Sequence, residues 1–198
     1  RNKERERERE VYQYLPDYIC GDLDSVREDV LTFYSQNGVE IKRERGQDDT
    51  DLDKCLSLSL SLLSQSQQSE RERETEEREG ATVLILGAFG GRLDHQLSIL
   101  HSLHYWNNQF DNLVLLGSNS SAFLLAKGSH IISPTSVEGP NCGLIPLSGP
   151  VTVSSRGLKW DLQSLTLSMG TFISTSNSLL EDNNNKEEER NNNNNNNN

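Results

Sequence analysis

Thr82-Val83-Leu84-Ile85-Leu86 runs directly into Gly87-Ala88-Phe89-Gly90-Gly91-Arg92-Leu93-Asp94-His95. An unbroken apolar run of this length is the pattern of a strand buried on both faces. The glycines after it permit a tight turn. Leu93, Leu97, Leu100 and Leu103 then recur at helical spacing. Strand, turn and helix in that order make the unit of an α/β layer. The pattern continues in both directions. Upstream, Asp17-Tyr18-Ile19-Cys20 predicts a short strand and Gly21-Asp22-Leu23-Asp24 a turn. Ser25-Val26-Arg27-Glu28 has capping-box spacing, opening a helix that carries Val26, Val30, Leu31, Phe33 and Tyr34 and stops at Gly38. Val39-Glu40-Ile41 predicts a strand, 46–51 a loop, and the stretch from Leu52 a helix; the Ser-Leu alternation of 57–62 is ambiguous, with the period of a strand, but continues the helical segment and is read as helix. Downstream, Leu113-Val114-Leu115-Leu116 predicts a second buried strand, and Gly117–Ser120 a turn into Ala122-Phe123-Leu124-Leu125.

After about Lys127 the character changes. His130-Ile131-Ile132, Leu144–Leu147, Val151–Val153, Leu165–Leu167 and Thr171–Ile173 are short, β-prone and punctuated by Gly and Pro. They predict a small all-β unit, a sandwich or open barrel. Three tracts stand apart: Arg/Glu repeats at 1–10, Ser/Gln then Glu/Arg at 64–79, and an Asn-rich stretch at 181–198. With almost nothing apolar to bury, they predict a low-complexity tail, a disordered insertion and a disordered tail.

Charge and composition exclude several classes. Nineteen Lys and Arg oppose thirty Asp and Glu, a formal net charge of −11. No basic stripe suits a nucleic-acid backbone. No apolar run approaches the roughly 20 residues of a membrane-spanning helix. Three scattered cysteines, Cys20, Cys55 and Cys142, form no C-x-x-C pair and fit a reducing, cytoplasmic setting.

Eleven acidic side chains fall between Asp17 and Asp53. Glu28, Asp29, Glu40 and Glu44 suit a solvated face. Asp22 and Asp24, in a turn after a strand, can serve as turn and cap residues, or both can face one divalent cation. In Gln47-Asp48-Asp49-Thr50-Asp51, Asp49 or Thr50 caps the helix, and the remaining carboxylates are free for a phosphate-bound metal. Gly87–His95 is either a plain α/β turn or an anion cradle with Arg92 gripping phosphate and Asp94 orienting Arg92 or reaching the metal. Trp160, in Gly157-Leu158-Lys159-Trp160-Asp161-Leu162, is either core or a stacking platform for a flat heteroaromatic cation, beside Ser174-Thr175-Ser176-Asn177.

Six segments in order resemble the thiamine pyrophosphokinase (thiamine diphosphokinase) family over roughly residues 14–178: 16–25, 47–55, 87–95, 139–147, 157–162 and 174–177. The resemblance implies a Rossmann-like α/β catalytic, ATP-binding domain with a mostly parallel sheet over 11–128, followed by a small all-β sandwich, thiamine-binding domain over 129–180. It implies transfer of diphosphate from ATP to thiamine, giving thiamine diphosphate and AMP, with Mg²⁺ required and a homodimer as the working form. Asp22, Asp24, Asp48 and Asp51 resemble the metal ligands. Asp22, Asp24, Asp51 and Arg92 resemble the catalytic set, with Asp51 or Asp22 accepting the alcohol proton. Gln47, Asp48, Thr50, Gly90, Gly91, Arg92 and Asp94 match positions around ATP and substrate. Trp160, Ser174, Ser176 and Asn177 match the thiamine-binding elements. The family also has a further strand at each end, where Arg/Glu and Asn tracts stand here. That leaves open a truncated, inactive homologue that only binds thiamine or dimerises.

Overall fold

Tyr18–Gly21 forms strand β1 and Glu40–Arg43 forms β2, paired in parallel with Tyr18 opposite Glu40 and Gly21 opposite Arg43. The computed structural model describes residues 14–46, 48–71, 81–135 and 137–180. The expected tails, Gln47 and residues 72–79 of the expected insertion lie outside the described residues. The chain divides after Gly128 into two compact units.

Helix α1 (Glu28–Gln36) links β1 to β2. It starts later than the capping-box pattern predicts, and Ser25 does not cap it. Arg27 holds the N-cap position, its carbonyl accepting from Val30 and Leu31 N–H. Ser25 thus lies two residues too early to reach the first turn. Glu28 and Asp29 instead place negative charge at the helix start, where the dipole favours it.

Helix α2 (Asp51–Arg71) settles the Ser-Leu ambiguity. Leu52, Leu56, Leu60 and Leu63 fall on one helical face and all join the core cluster. The helix runs through residues 64–71, which the polar composition had assigned to a disordered insertion. Ser64 Oγ donates to the Leu60 carbonyl at 2.8 Å. Gln, Glu and Arg are good helix formers, so an anchored helix propagates through them.

Strand β3 (Thr82–Leu86), helix α3 (Leu93–Tyr105) and strand β4 (Asn112–Leu116) form the second β-α-β unit, with β3 and β4 parallel. Strand β5 (Ser121–Phe123) returns antiparallel to β4. Among the described residues the sheet is therefore two separate ladders, β1-β2 and β3-β4-β5, with one antiparallel edge. Leu56, Ala88, Leu103, Phe110, Leu113 and Leu115 form the buried core, with Val83 and Ile85 against it. Burying each such leucine contributes about 1.5–3 kcal/mol. The expectation that β3 is buried on both faces does not hold. Its other face carries Leu84 and Leu86, 58% and 77% exposed. β3 lies at the edge of a three-stranded ladder, and α2 and α3 supply core residues to its Val83/Ile85 side.

The second unit contains two antiparallel ladders. Strand β6 (Asn141–Leu144) pairs with β9 (Ser174–Ser178), and β7 (Val151–Val153) pairs with β8 (Leu165–Leu167). Thr152 and Thr166 share a hydroxyl bond across the second ladder. Gly143 sits at an irregularity of the first, where an added Cβ would lie 2.9 Å from the Ser174 carbonyl. Among the described residues of this unit, Pro146, Leu162 and Leu167 are buried. The strand expected at Leu144–Leu147 lies earlier, at Asn141–Leu144, and two other expected strands are absent here. Residues 130–132 are not in strand conformation, and Ile131 is 96% exposed. Thr171–Ile173 makes only a single bridge, Phe172 to Ser168. The ladder forms instead at Ser174–Ser178, a polar stretch whose backbone, not its apolar content, carries the pairing.

Candidate functional site

The first acidic turn grows from the end of β1. Gly21 has φ +154, and a Cβ there would lie 3.0 Å from Asp51 Oδ1. Glycine lets the Asp51 carboxylate come this close to the end of β1. Leu23 takes a left-handed φ of 60, and Asp24 N–H donates to Asp22 Oδ1 at 3.0 Å, closing the turn on its own carboxylate. Asp22 N–H donates to Asp51 Oδ1 at 3.1 Å. Two acidic motifs 29 residues apart in sequence are therefore in direct contact.

A cation is already built into that junction. Lys54 Nζ donates to the same Asp51 oxygen at 3.2 Å, and Lys54 is only 8% exposed. It offsets one of the crowded negative charges. Beside it, Cys55 Sγ contacts the Cys20 carbonyl at 3.5 Å. Burial pushes the Cys55 thiol up to about 11.

Thr50 is the cap of α2. Asp53 N–H donates to Thr50 Oγ1 while Thr50 N–H and hydroxyl both donate to Asp53 Oδ2, the hydroxyl at 2.6 Å. This is a reciprocal capping box. The other Asp53 oxygen accepts Trp106 Nε1 at 2.8 Å and the Ser102 hydroxyl at 3.4 Å, fastening the start of α2 to the end of α3. Partial burial pushes the Asp53 carboxyl up, but the bonds from Thr50, Trp106 and Ser102 outweigh it and hold it below its ordinary value. A carboxylate held low when folded stabilises the fold above the unfolded value of about 3.9, and that stability is lost as pH falls through the folded value. Asp53→Asn should therefore lower the melting temperature at neutral pH and flatten the acid limb below about pH 4. Thermal melts across acid pH check this; an acid limb identical to the native one would remove Asp53 as its source.

The glycine turn after β3 is tied to β4. Ala88 N–H donates to the Leu116 carbonyl, and a Cβ on Gly117 would lie 2.8 Å from Phe89 Cδ2. Gly90 and Gly91 have positive φ, 114 and 74, and lie exposed ahead of α3. Arg92 and Asp94 pair with each other, Nε to Oδ1 at 3.1 Å and Nη2 to Oδ2 at 2.5 Å. The bond from Arg92 holds Asp94 below its usual range, and both are well exposed. The described hydrogen bonds thus join the first two motifs and connect the third to the end of β4. Asp48 is exposed at the mouth of α2, and Gln47 lies outside the described residues.

In the second unit, Trp160 is 56% exposed. Asn177, 2% exposed, points its amide inward: Oδ1 accepts Trp160 N–H at 3.2 Å and Ser178 N–H at 2.9 Å, and Nδ2 donates to the Trp160 carbonyl at 2.8 Å. Asp161 Oδ1 accepts the Ser155 hydroxyl and Leu158 N–H, bracing the same loop. Ser174 is buried and Ser176, with φ 57, is exposed on the same strand. Trp160 and Ser176 face outward and Ser174 and Asn177 inward. Asp53, Lys54 and Lys159 are the residues the sequence reading passed over. Of these only Asp53 carried a signal, its Thr50-x-x-Asp53 spacing.

A metal fits this donor set in part. Asp22 Oδ2 and the Asp24 carboxylate are hard oxygens in one turn, and Mg²⁺ takes one or two carboxylates with phosphate oxygens. No three acidic, His or Cys side chains form a protein-only cation site among the described residues.

The model of the family described as "Thiamin pyrophosphokinase, catalytic domain" matches residues 3–115, and that of "Thiamin pyrophosphokinase, vitamin B1 binding domain" matches 129–186. The chain is 40% identical to thiamine pyrophosphokinase 1 of Oryza sativa over 173 residues, 85% of this chain and 61% of that protein. It is 38% identical to thiamine pyrophosphokinase 1 of Arabidopsis thaliana, covering 85% of this chain and 60% of that one. The chain thus spans about three fifths of the length of these curated relatives. Among solved structures, thiamin pyrophosphokinase from Candida albicans superposes with a TM-score of 0.71 at 28% identity, covering 85% of this chain and 68% of that one.

Proposed function

Because the chain belongs to the thiamin pyrophosphokinase family, we propose that it transfers diphosphate from ATP to thiamine, releasing AMP. The observation that carries this reading is the contact of the Asp22 turn with Asp51 at the carboxyl end of β1. Parallel α/β sheets bind ligands beyond the carboxyl ends of their strands, as a Rossmann-like arrangement would here. Asp22 and Asp24 would hold Mg²⁺ together with phosphate oxygens, with Asp51, in contact with that turn, and Asp48 contributing from the second motif. Mg²⁺ bound there neutralises charge on the transferred phosphates.

The remaining roles fall to the chain itself. Gly90 and Gly91 leave backbone N–H groups open to a phosphate, and Arg92 adds a planar donor pair once it swings from Asp94. Thr50, with its hydroxyl on Asp53, sets the start of α2 and so the place of Asp51. The thiamine hydroxyl oxygen bonds to the β-phosphorus of ATP as the bond from that phosphorus to the α-bridging oxygen breaks. AMP leaves, and the alcohol proton passes to Asp51 or Asp22. Positioning and charge neutralisation suffice for such transfers. In the second unit, Trp160 stacks on the vitamin's rings, with Ser176 beside it. A homodimer is the working form in this reading, and three free thiols suit a reducing, cytoplasmic compartment. No helix among the described residues is long and apolar enough to cross a membrane.

The test is AMP release from Mg²⁺-ATP that depends on added thiamine, with thiamine diphosphate as co-product. Thiamine binding with no AMP release would identify a non-catalytic homologue. Trp160→Ala should raise the KM for thiamine by about tenfold, the range of one lost aromatic stack, and leave the KM for ATP nearly unchanged. Equal losses for both substrates would make Trp160 a packing residue.

A further inference from the structure

We propose that Lys159 is a built-in competitor for the Trp160 ring, which a cationic ligand must displace; this rests on the second unit being the thiamine-binding domain. Lys159 Nζ lies 4.6 Å from the Trp160 ring centroid. That is within the distance at which an ammonium is held by an aromatic face. The ring itself is exposed, while the backbone beneath it is fixed. Asn177 holds both polar groups of the Trp160 backbone, and Lys159 N–H donates to the Ser178 carbonyl at 2.8 Å. The platform is therefore set by β9, and the ammonium rests on it at the end of a flexible stem. Asp161, next along the chain, makes no described ion pair with that ammonium; its Oδ1 accepts from Ser155 and Leu158 instead.

Thiamine carries a permanent positive ring. It would gain from the Trp160 face through the same attraction that Lys159 already enjoys, so its net gain is a difference between two cations. Removing the charge of Lys159 removes the rival. Replacing it with Arg, whose planar group stacks better on Trp, strengthens the rival.

Thiamine affinity by titration calorimetry reads this out, using the full chain. Lys159→Gln should tighten binding by about two- to fivefold, the exposed cation–π range, and Lys159→Arg should weaken it. In the native chain, the Lys159 ε-methylene protons should resonate upfield from the ring current and return toward ordinary values as thiamine is added. Weaker or unchanged binding in Lys159→Gln overturns the inference. So does saturating thiamine that leaves the Lys159 protons unmoved, an outcome that leaves the proposed substrate standing. No thiamine binding by either the native chain or Lys159→Gln overturns both.

Discussion

Asp22→Asn reduces thiamine-dependent AMP formation by at least about a hundredfold, the scale on which a preorganised group facing developing charge acts, and leaves the fold intact. The substitution is chosen for what it keeps. The described bond to Asp22 is Asp24 N–H donating to Oδ1. An Asn side chain retains that acceptor, and the Asp22 N–H to Asp51 bond involves only backbone on the Asp22 side. The turn therefore closes as before. What disappears is one unit of negative charge and one hard oxygen at the site where phosphates would be held. Asp22 is half-buried, but among the described ion pairs its carboxylate has no cationic partner, so the fold does not lean on its charge and the melting temperature should move little. Equal activity in the variant would remove Asp22 from the mechanism. A collapsed melting temperature would instead make its charge structural.

The parts of the fold that were legible in the sequence are those where local pattern and tertiary packing agree. The apolar run at 82–86, the leucines of α3 and the strand at 113–116 stand where periodicity places them, because each buries a face in the same cluster. The Ser-Leu stretch carried a strand period, yet Leu56, Leu60 and Leu63 fall on one helical face against the core. Packing overrode local alternation there. Ser25 failed as a cap although its spacing was right, because the chain enters α1 two residues later. Thr171–Ile173 looked more strand-like than Ser174–Ser178, but the ladder with β6 depends on backbone register, which composition does not report. At the acidic junction the sequence showed the carboxylates. It did not show that Lys54 is buried among them, since a Lys three residues after an Asp-rich loop has the pattern of surface charge.

The same limit applies to Asn177, and it yields the second large effect. Asn177→Ala should destabilise the second unit by about 3 kcal/mol or more, since each buried polar group left unpaired costs about 1–3 kcal/mol. The alanine orphans Trp160 N–H, the Trp160 carbonyl and Ser178 N–H together, at a position 2% exposed where water has poor access. Because a loss of that size can unfold the unit altogether, Asn177→Asp gives the sharper comparison. Its carboxylate keeps the acceptor for Trp160 and Ser178 N–H but sets a second oxygen, without a proton to give, against the Trp160 carbonyl. The loop then loses one strand of its clamp while the ladder register survives. Thiamine affinity should fall along with stability, and ATP affinity should not. A direct ligand contact by Asn177 predicts something different: full stability with lost thiamine binding. Denaturant unfolding of Asn177→Asp beside its thiamine titration separates the two, because a residue that acts by holding Trp160 in place cannot lose binding while the protein keeps its native stability.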